Sequence, residues 1–176
     1  QYYRKTEKQD EERKILNIKD DDWHKTLSYT EDKSRFAGFH EWFAIFVVLG
    51  FVWWGGFGMV ENHAELWTLV IGGEAHGIVT GLVFFALLAL LNMIVELPFE
   101  LYSTFVIEEK HGFNRQTIRT FIIDRIKGIF IGALLGLPLL AAILWIMSNL
   151  GQMWWVYAWA LLSGFSLLTA WVYPTL

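Results

Sequence analysis

An uncharged stretch of the chain limits its fold most strongly. Residues 128–176 contain no Lys, Arg, Asp or Glu, which makes an uninterrupted run of 49 residues. A water-soluble domain built from 176 residues cannot bury so long a run in one core. The hydrophobic fraction of 55% agrees with this reasoning. The sequence therefore predicts an all-α fold, a polytopic transmembrane helical bundle.

Four apolar stretches are long enough to cross a bilayer. A helix of 19 residues reaches about 28 Å, close to the hydrocarbon thickness of about 30 Å. The predicted spans cover about 42–60, 77–98, 128–148 and 153–173. Between them we expect a loop at 61–76, a loop at 99–127 and a tight turn at 149–152. The sequence thus predicts a polar segment, 1–41, followed by a transmembrane domain, 42–176.

The distribution of Lys and Arg predicts the orientation of these spans. Segment 1–41 carries nine basic residues and loop 99–127 carries five, whereas loop 61–76 and turn 149–152 carry none. Cytoplasmic loops retain positive charge, and four spans place the two basic segments on the same side. We therefore expect 1–41 and 99–127 to face the cytoplasm. The bacterial inner membrane is the favoured location, with the endoplasmic reticulum membrane as the alternative.

Composition excludes several classes of function. Basic residues never gather without acidic neighbours, so we expect no nucleic-acid partner. The chain has no Cys, which rules out disulfides and thiolate metal sites. It begins at Gln1 and stops at Leu176 directly after an apolar span, and we interpret it as an internal fragment of a longer protein.

A dense polar cluster lies in the second predicted loop. It includes the consecutive residues Glu108, Glu109, Lys110, His111, Gly112, Phe113 and Asn114. Two interpretations stay open, a solvated turn and a structured polar network that docks on another domain or lines a reaction chamber. After it, apolar residues at helical spacing predict an interfacial amphipathic helix, with Gly112 in the turn and Asn114 as N-cap.

Glycines recur at every fourth position in two spans. They are Gly77 and Gly81 in the second span, and Gly128, Gly132 and Gly136 in the third. Small residues on one helical face let membrane helices approach closely. We predict that these glycines mediate helix packing; a glycine face lining a cavity is the alternative.

Two carboxylates lie near the cytoplasmic end of the second span. Glu96 and Glu100 are one helical turn apart around Pro98. A carboxylate at the bilayer centre costs about 3 kcal/mol. Glu96 therefore either reaches the polar boundary of the membrane or faces a water-filled interior, and its role is not assigned.

No complete catalytic or metal site is present in the sequence. The nearest approach to a zinc-binding H-E-x-x-H motif begins at His40 and Glu41, and it fails at Ala44, where the second imidazole should stand. We find neither a nucleophile elbow nor a phosphate-binding glycine loop. We expect this chain to bind no metal and to be inactive alone.

Residues 97–117 resemble a known family signature. The string from Leu97-Pro98 through Leu101-Tyr102-Ser103 to Glu108-Glu109-Lys110-His111-Gly112-Phe113-Asn114-Arg115-Gln116-Thr117 is similar to that of the type I CAAX prenyl endopeptidases, which are integral-membrane zinc metalloproteases. A weaker similarity lies upstream, in Trp23, Lys25, Tyr29, Asp32, Lys33, Ser34 and Phe36. Placed on that family, the chain resembles its N-terminal membrane region.

The resemblance implies a role and partners. The spans would wall an intramembrane chamber and support a downstream protease domain of the same chain, which binds zinc and cleaves prenylated or membrane-associated peptides. The expected partners are the lipid bilayer, that domain and the peptide substrate. From a different class, the alternative is a non-enzymatic membrane module, such as a transporter subunit or an assembly factor.

Overall fold

The computed structural model describes residues 20–172, without the side chains of residues 20 and 21. Within this range it contains five α-helices and no strand: α1 (Asp20–Trp53), α2 (Gly56–Val70), α3 (Ile78–Tyr102), α4 (Ile118–Asn149) and α5 (Trp154–Val172). Residues 1–19 of the predicted polar segment and Tyr173 of the fourth predicted span lie outside the described residues.

Four helical segments of the described chain are long and apolar enough to cross a membrane. They are Asp22–Trp53, Ile78–Glu108, Ile118–Asn149 and Gly151–Val172. Many large apolar side chains on them are exposed, for example Phe130, which is 68% exposed. Such surfaces require lipid rather than water around them. The predicted all-α membrane fold with four spans is confirmed, and the chain is an integral, multi-pass membrane protein.

The first helix differs from its predicted bounds at both ends. Residues 20–53 form one helix, about 50 Å long at helical rise, so it includes much of the predicted polar segment. The prediction that the first span runs to residue 60 is wrong, because Gly55 adopts a left-handed φ of 70° and separates α1 from α2. Charge counting misses this break, which depends on the backbone freedom of one glycine.

The second difference lies in the predicted loop 61–76, whose first part is helical. Helix α2 continues to Val70, and it buries Val60, Ala64 and Thr68, which follow one another at four-residue spacing. The Thr68 hydroxyl donates to the Ala64 carbonyl oxygen at 2.7 Å, which satisfies that polar group inside the packed face. Acidic side chains on the exposed face concealed this amphipathic pattern.

The end of α3 contains an irregular segment. Pro98 lies inside the helix without ending it. Directly after α3, Ser103–Glu108 forms a π-helix, which is uncommon in proteins and frequent near functional sites. A proline lacks the N–H for the usual helical hydrogen bond and relaxes the local backbone ladder. The wider turn brings the polar cluster to the end of the helix.

The predicted interfacial helix is not a separate element. Residues 118–149 form one continuous helix, α4, which joins the amphipathic stretch to the third span and contains Pro138. No break signal lies between Lys127 and Gly128. The prediction that Asn114 is the N-cap is also wrong, because the helix begins four residues later and Asn114 makes a tight turn instead, with its Oδ1 accepting from the Gln116 N–H at 2.7 Å.

Contacts divide the chain into two compact units, which we describe separately. Among the described residues, the first unit is 20–54 with Asn92–Thr117, and the second is Gly55–Leu91 with 118–172. In the second unit the later part of α4 packs on α5, where Ile146 and Ala158 are buried. In the same unit, a Cβ built on Gly81 would lie 2.7 Å from Leu144 Cδ1.

We predict that Gly81→Leu destabilises the second unit. The new side chain would overlap Leu144, and overpacking of this kind costs about 1–3 kcal/mol. Thermal unfolding of the detergent-solubilised protein should show a lower midpoint, partly restored by adding Leu144→Ala. Gly164→Leu is the matched control, because no described atom lies within 4 Å of its Cβ position. Equal effects at positions 81 and 164 would contradict close packing at Gly81.

Candidate functional site

The polar cluster at 108–114 forms a closed turn at the end of the π-helix. Gly112 has a φ of 68°, a left-handed conformation that glycine adopts without strain. The N–H groups of Gly112 and Phe113 donate to the carbonyl oxygens of Glu109 and Glu108, each at 2.9 Å. The chain therefore reverses direction here through backbone hydrogen bonds, and the prediction that Gly112 occupies a turn is confirmed.

One carboxylate on α1 holds this turn. Asp32 Oδ2 accepts hydrogen bonds from Lys110 Nζ at 2.7 Å and from His111 Nε2 at 2.9 Å. The His111 side chain is only 7% exposed, whereas Asp32 is about one-third exposed. A buried imidazole N–H needs an acceptor, and the same carboxylate also offers the lysine an ion pair. Asp32 thus ties two consecutive cluster residues to a helix almost eighty positions earlier.

A second ion pair runs beside the first. Lys33 Nζ lies 3.3 Å from Glu108 Oε1 and donates to the Tyr29 hydroxyl at 2.7 Å. Its charge also lies over the Tyr29 ring, 5.1 Å from the centroid. Asp32 and Lys33 carry opposite charges, and each pairs with a residue of opposite charge in the cluster.

Aromatic contacts fill the space between the two segments. The Tyr29 ring meets the Phe113 ring at 4.8 Å and the edge of His111 at 5.6 Å. Lys25 Nζ also lies over the Phe113 ring, 5.0 Å from its centroid. The Tyr29 ring therefore covers the imidazole, which contributes to the burial of His111 in a surface turn.

The remaining polar residues of the cluster stabilise the turn itself. Asn114 Nδ2 donates to Glu109 Oε2 at 2.9 Å, and the Asn114 N–H donates to the Glu108 carbonyl oxygen at 3.2 Å. The structure thus brings Glu108, Lys110, His111 and Phe113 against α1, while Glu109, Gly112 and Asn114 shape the turn. Its geometry is that of a structured network rather than a solvated loop.

Sequence reasoning assigned no role to the α1 side of this network. The partners on α1 are Lys25, Tyr29, Asp32 and Lys33. The sequence indicates them only through the weaker family resemblance. Their spacing of three to four residues places them on one helical face. A helical face that carries both charge signs, together with a later cluster that also carries both signs, is the sequence signal for these partners.

The predicted packing glycines have different surroundings. Gly81 packs against Leu144, as described above. At Gly77, the nearest atom to a Cβ would be the Glu74 carbonyl oxygen, at 3.3 Å. At Gly128, Gly132 and Gly136 no atom of the described residues lies within 4 Å of the Cβ position. A packing role for these three stays a prediction.

The network does not have the composition of a metal centre. Across residues 20–172, no three His, Asp or Glu side chains are placed together so that they could hold a metal ion. The cluster also lacks a nucleophile with an adjacent base. What the arrangement can do is fix one backbone segment against another through charge-assisted hydrogen bonds.

Comparisons with known proteins agree on one family. A family model described as the N-terminal region of CAAX prenyl protease, with five membrane helices, matches residues 1–176. A CAAX prenyl protease 1 homolog from Oryza sativa is 38% identical over 165 residues, which is 89% of this chain and 37% of that protein. A homolog from Caenorhabditis elegans is 34% identical, over 90% of this chain and 34% of its own length.

A solved structure shares the fold. The crystal structure of S. mikatae Ste24p matches with a TM-score of 0.80 at 27% sequence identity, covering 90% of this chain and 37% of that one. The chain therefore spans roughly a third of the length of these relatives.

We predict that Asp32→Ala opens the turn at 108–114. Without the carboxylate, the buried His111 N–H loses its acceptor and Lys110 loses its ion pair. Amide hydrogen exchange of residues 108–114 should become faster. Glu31→Ala is the matched control, because Glu31 is adjacent to Asp32 and, among the described residues, pairs with Arg35 of its own helix at 2.7 Å. Unchanged exchange in Asp32→Ala would show that the tie does not hold the turn.

Proposed function

Because this chain belongs to the CAAX prenyl protease N-terminal family, we propose that it is the membrane region of a peptidase that cleaves prenylated or other membrane-associated peptides. The agreement of sequence and fold with that family carries the proposal. The spans wall an intramembrane chamber. They also support a catalytic domain that belongs to the complete protein and lies downstream of this chain.

The Asp32 network gives the membrane region its part in the reaction. It fixes the turn at 108–114 against α1, next to the π-helix that ends a membrane-crossing segment. A fixed turn on the cytoplasmic side offers the catalytic domain a defined docking surface. Catalytic geometry depends on such positioning, since a displacement of about 1 Å can lower a rate about a hundredfold.

Zinc belongs to the proposal as a cofactor of the complete protein. The described residues of this chain do not fit a zinc site, since they bring no three ligands together. We assign the zinc ligands and the glutamate base to the part of the protein downstream of residue 176. A bound zinc ion there would activate water for peptide hydrolysis. This chain contributes the membrane scaffold and the docking surface.

The membrane that contains the protein is a further part of the proposal. The orientation places segments 1–41 and 99–127 in the cytoplasm. The bacterial inner membrane remains the favoured location and the endoplasmic reticulum membrane the alternative. The relatives named above are eukaryotic, so they do not add support for a bacterial source. In a cell without protein prenylation, quality control of membrane proteins is the expected role.

Two variants test the network within the complete protein. We predict that Glu109→Gln and His111→Ala each lower kcat/KM for a CAAX-type peptide severalfold without removing zinc. His111→Ala removes a donor to Asp32, and Glu109→Gln weakens the acceptor of the Asn114 amide. Cleavage, zinc content and thermal stability should be measured together. Wild-type values for all three in both variants would refute the role assigned to the network.

A second prediction concerns the source of activity. The complete protein should cleave a prenylated CAAX peptide, chelation should abolish cleavage, and residues 1–176 alone should be inactive. The coding sequence downstream of residue 176 should contain H-E-x-x-H. A reading frame that ends soon after residue 176 would favour the non-enzymatic membrane module instead.

A further inference from the structure

Glu96 has no role in the network described above, yet the structure gives it a partner. It belongs to α3, within the second predicted membrane span. Its Oε2 lies 2.9 Å from Nε2 of His40 on α1, and each of the two side chains is 29% exposed. An ionisable side chain at membrane depth requires a partner or water, and here an imidazole stands beside the carboxylate.

The contact is short, but it is not aligned as a hydrogen bond. His40 Nε2 is buried and makes no hydrogen bond to any described residue, although the Glu96 oxygen is only 2.9 Å away. An ion pair needs closeness rather than alignment, because the attraction between opposite charges has no preferred angle. The Phe99 ring, 4.4 Å from the His40 ring, covers the pair on one side.

The aromatic contacts around this pair do not select one register of the helices. Phe99 meets Phe36, Phe39 and Phe43 at centroid distances of 6.0, 6.4 and 4.9 Å. These three phenylalanines follow one another at helical spacing on α1. A shift of α1 by one turn would bring another phenylalanine opposite Phe99, and apolar contact is non-directional. The aromatic contacts therefore hold α1 against α3 without fixing the register between the two helices.

We propose that His40 and Glu96 are a positioning ion pair that fixes the register of α1 against the segment that precedes the π-helix. A one-turn shift would separate the two charges by about 5 Å along the helix and leave each without its partner. His40 is eight residues from Asp32, about 12 Å along α1. Register is then fixed at two points, by Asp32 at the turn and by His40 at the membrane boundary.

The consequence for proteolysis rests on the proposed function. If the register shifts, Asp32 moves away from Lys110 and His111, and the docking surface at 108–114 is lost. The pair would thus act through the network, without touching substrate.

The test separates register from activity. This chain has no cysteine of its own, so Cys can replace Phe36 and Tyr102, whose rings are 4.9 Å apart. In the complete protein, with any Cys outside residues 1–176 replaced by Ser, a short bifunctional thiol reagent then reports the register. We compare His40→Gln and Glu96→Gln, which remove one charge, with His40→Arg, which keeps a positive charge. Glu41→Gln is the matched control, since Glu41 is adjacent to His40 and exposed.

We expect each Gln variant to lower the cross-linked fraction and kcat/KM, the latter about fivefold, as for a partly exposed ion pair. His40→Arg should stay within about twofold of wild type, and Glu41→Gln should match it. Undiminished cross-linking in the Gln variants overturns the proposal. If those variants fail to fold, a His40→Arg protein that also fails overturns it. Lowered cross-linking in a protein that cleaves no peptide supports the ion pair and refutes only the proposed function.

Discussion

The arrangement of the first unit depends on the two hydrogen bonds that the Asp32 carboxylate accepts. The carboxylate accepts from Lys110 and His111 with one oxygen, and so it joins a membrane-entering helix to a turn far along the chain. In lipid, apolar side chains gain little by meeting each other rather than the acyl chains. Apolar helices alone therefore fix their mutual positions poorly. Polar ties near the helix ends supply directional contacts that the spans lack.

The rest of the first unit is arranged around this requirement. The π-helix after α3 and the left-handed Gly112 bring Lys110 and His111 to the helix end, facing α1. Aromatic rings then bury the imidazole, which raises the penalty for losing its acceptor. A second polar contact joins His40, deeper on the same helix, to Glu96 of α3. In the function proposed above, this arrangement gives the protease domain a docking surface that keeps its shape.

The sequence predicts the fold class and the family well, and it predicts the helix ends less well. Charge-free runs identify four membrane-crossing helices because the hydrocarbon core excludes unpaired charge, and its thickness sets the number of residues that a span needs. Helix bounds depend on local backbone choices. Gly55 ends α1 inside an apolar run, and α2 continues through acidic residues because only one of its faces is buried. The composition of 108–114 identifies the cluster, but its partners on α1 are distant in sequence. The role of Asp32 and Lys33 as partners therefore emerges only from the structure.

The central claim is that Asp32 and His111 act as one unit in positioning the turn for catalysis. A double-mutant cycle with Asp32→Ala and His111→Ala, measured as kcat/KM of the complete protein for a prenylated CAAX peptide, tests it most directly. The account predicts strong coupling, with the double variant no worse than the more impaired single variant, because each change already breaks the contact between Asp32 and His111. Multiplicative effects of the two substitutions on kcat/KM would show that the residues act independently and would contradict the account.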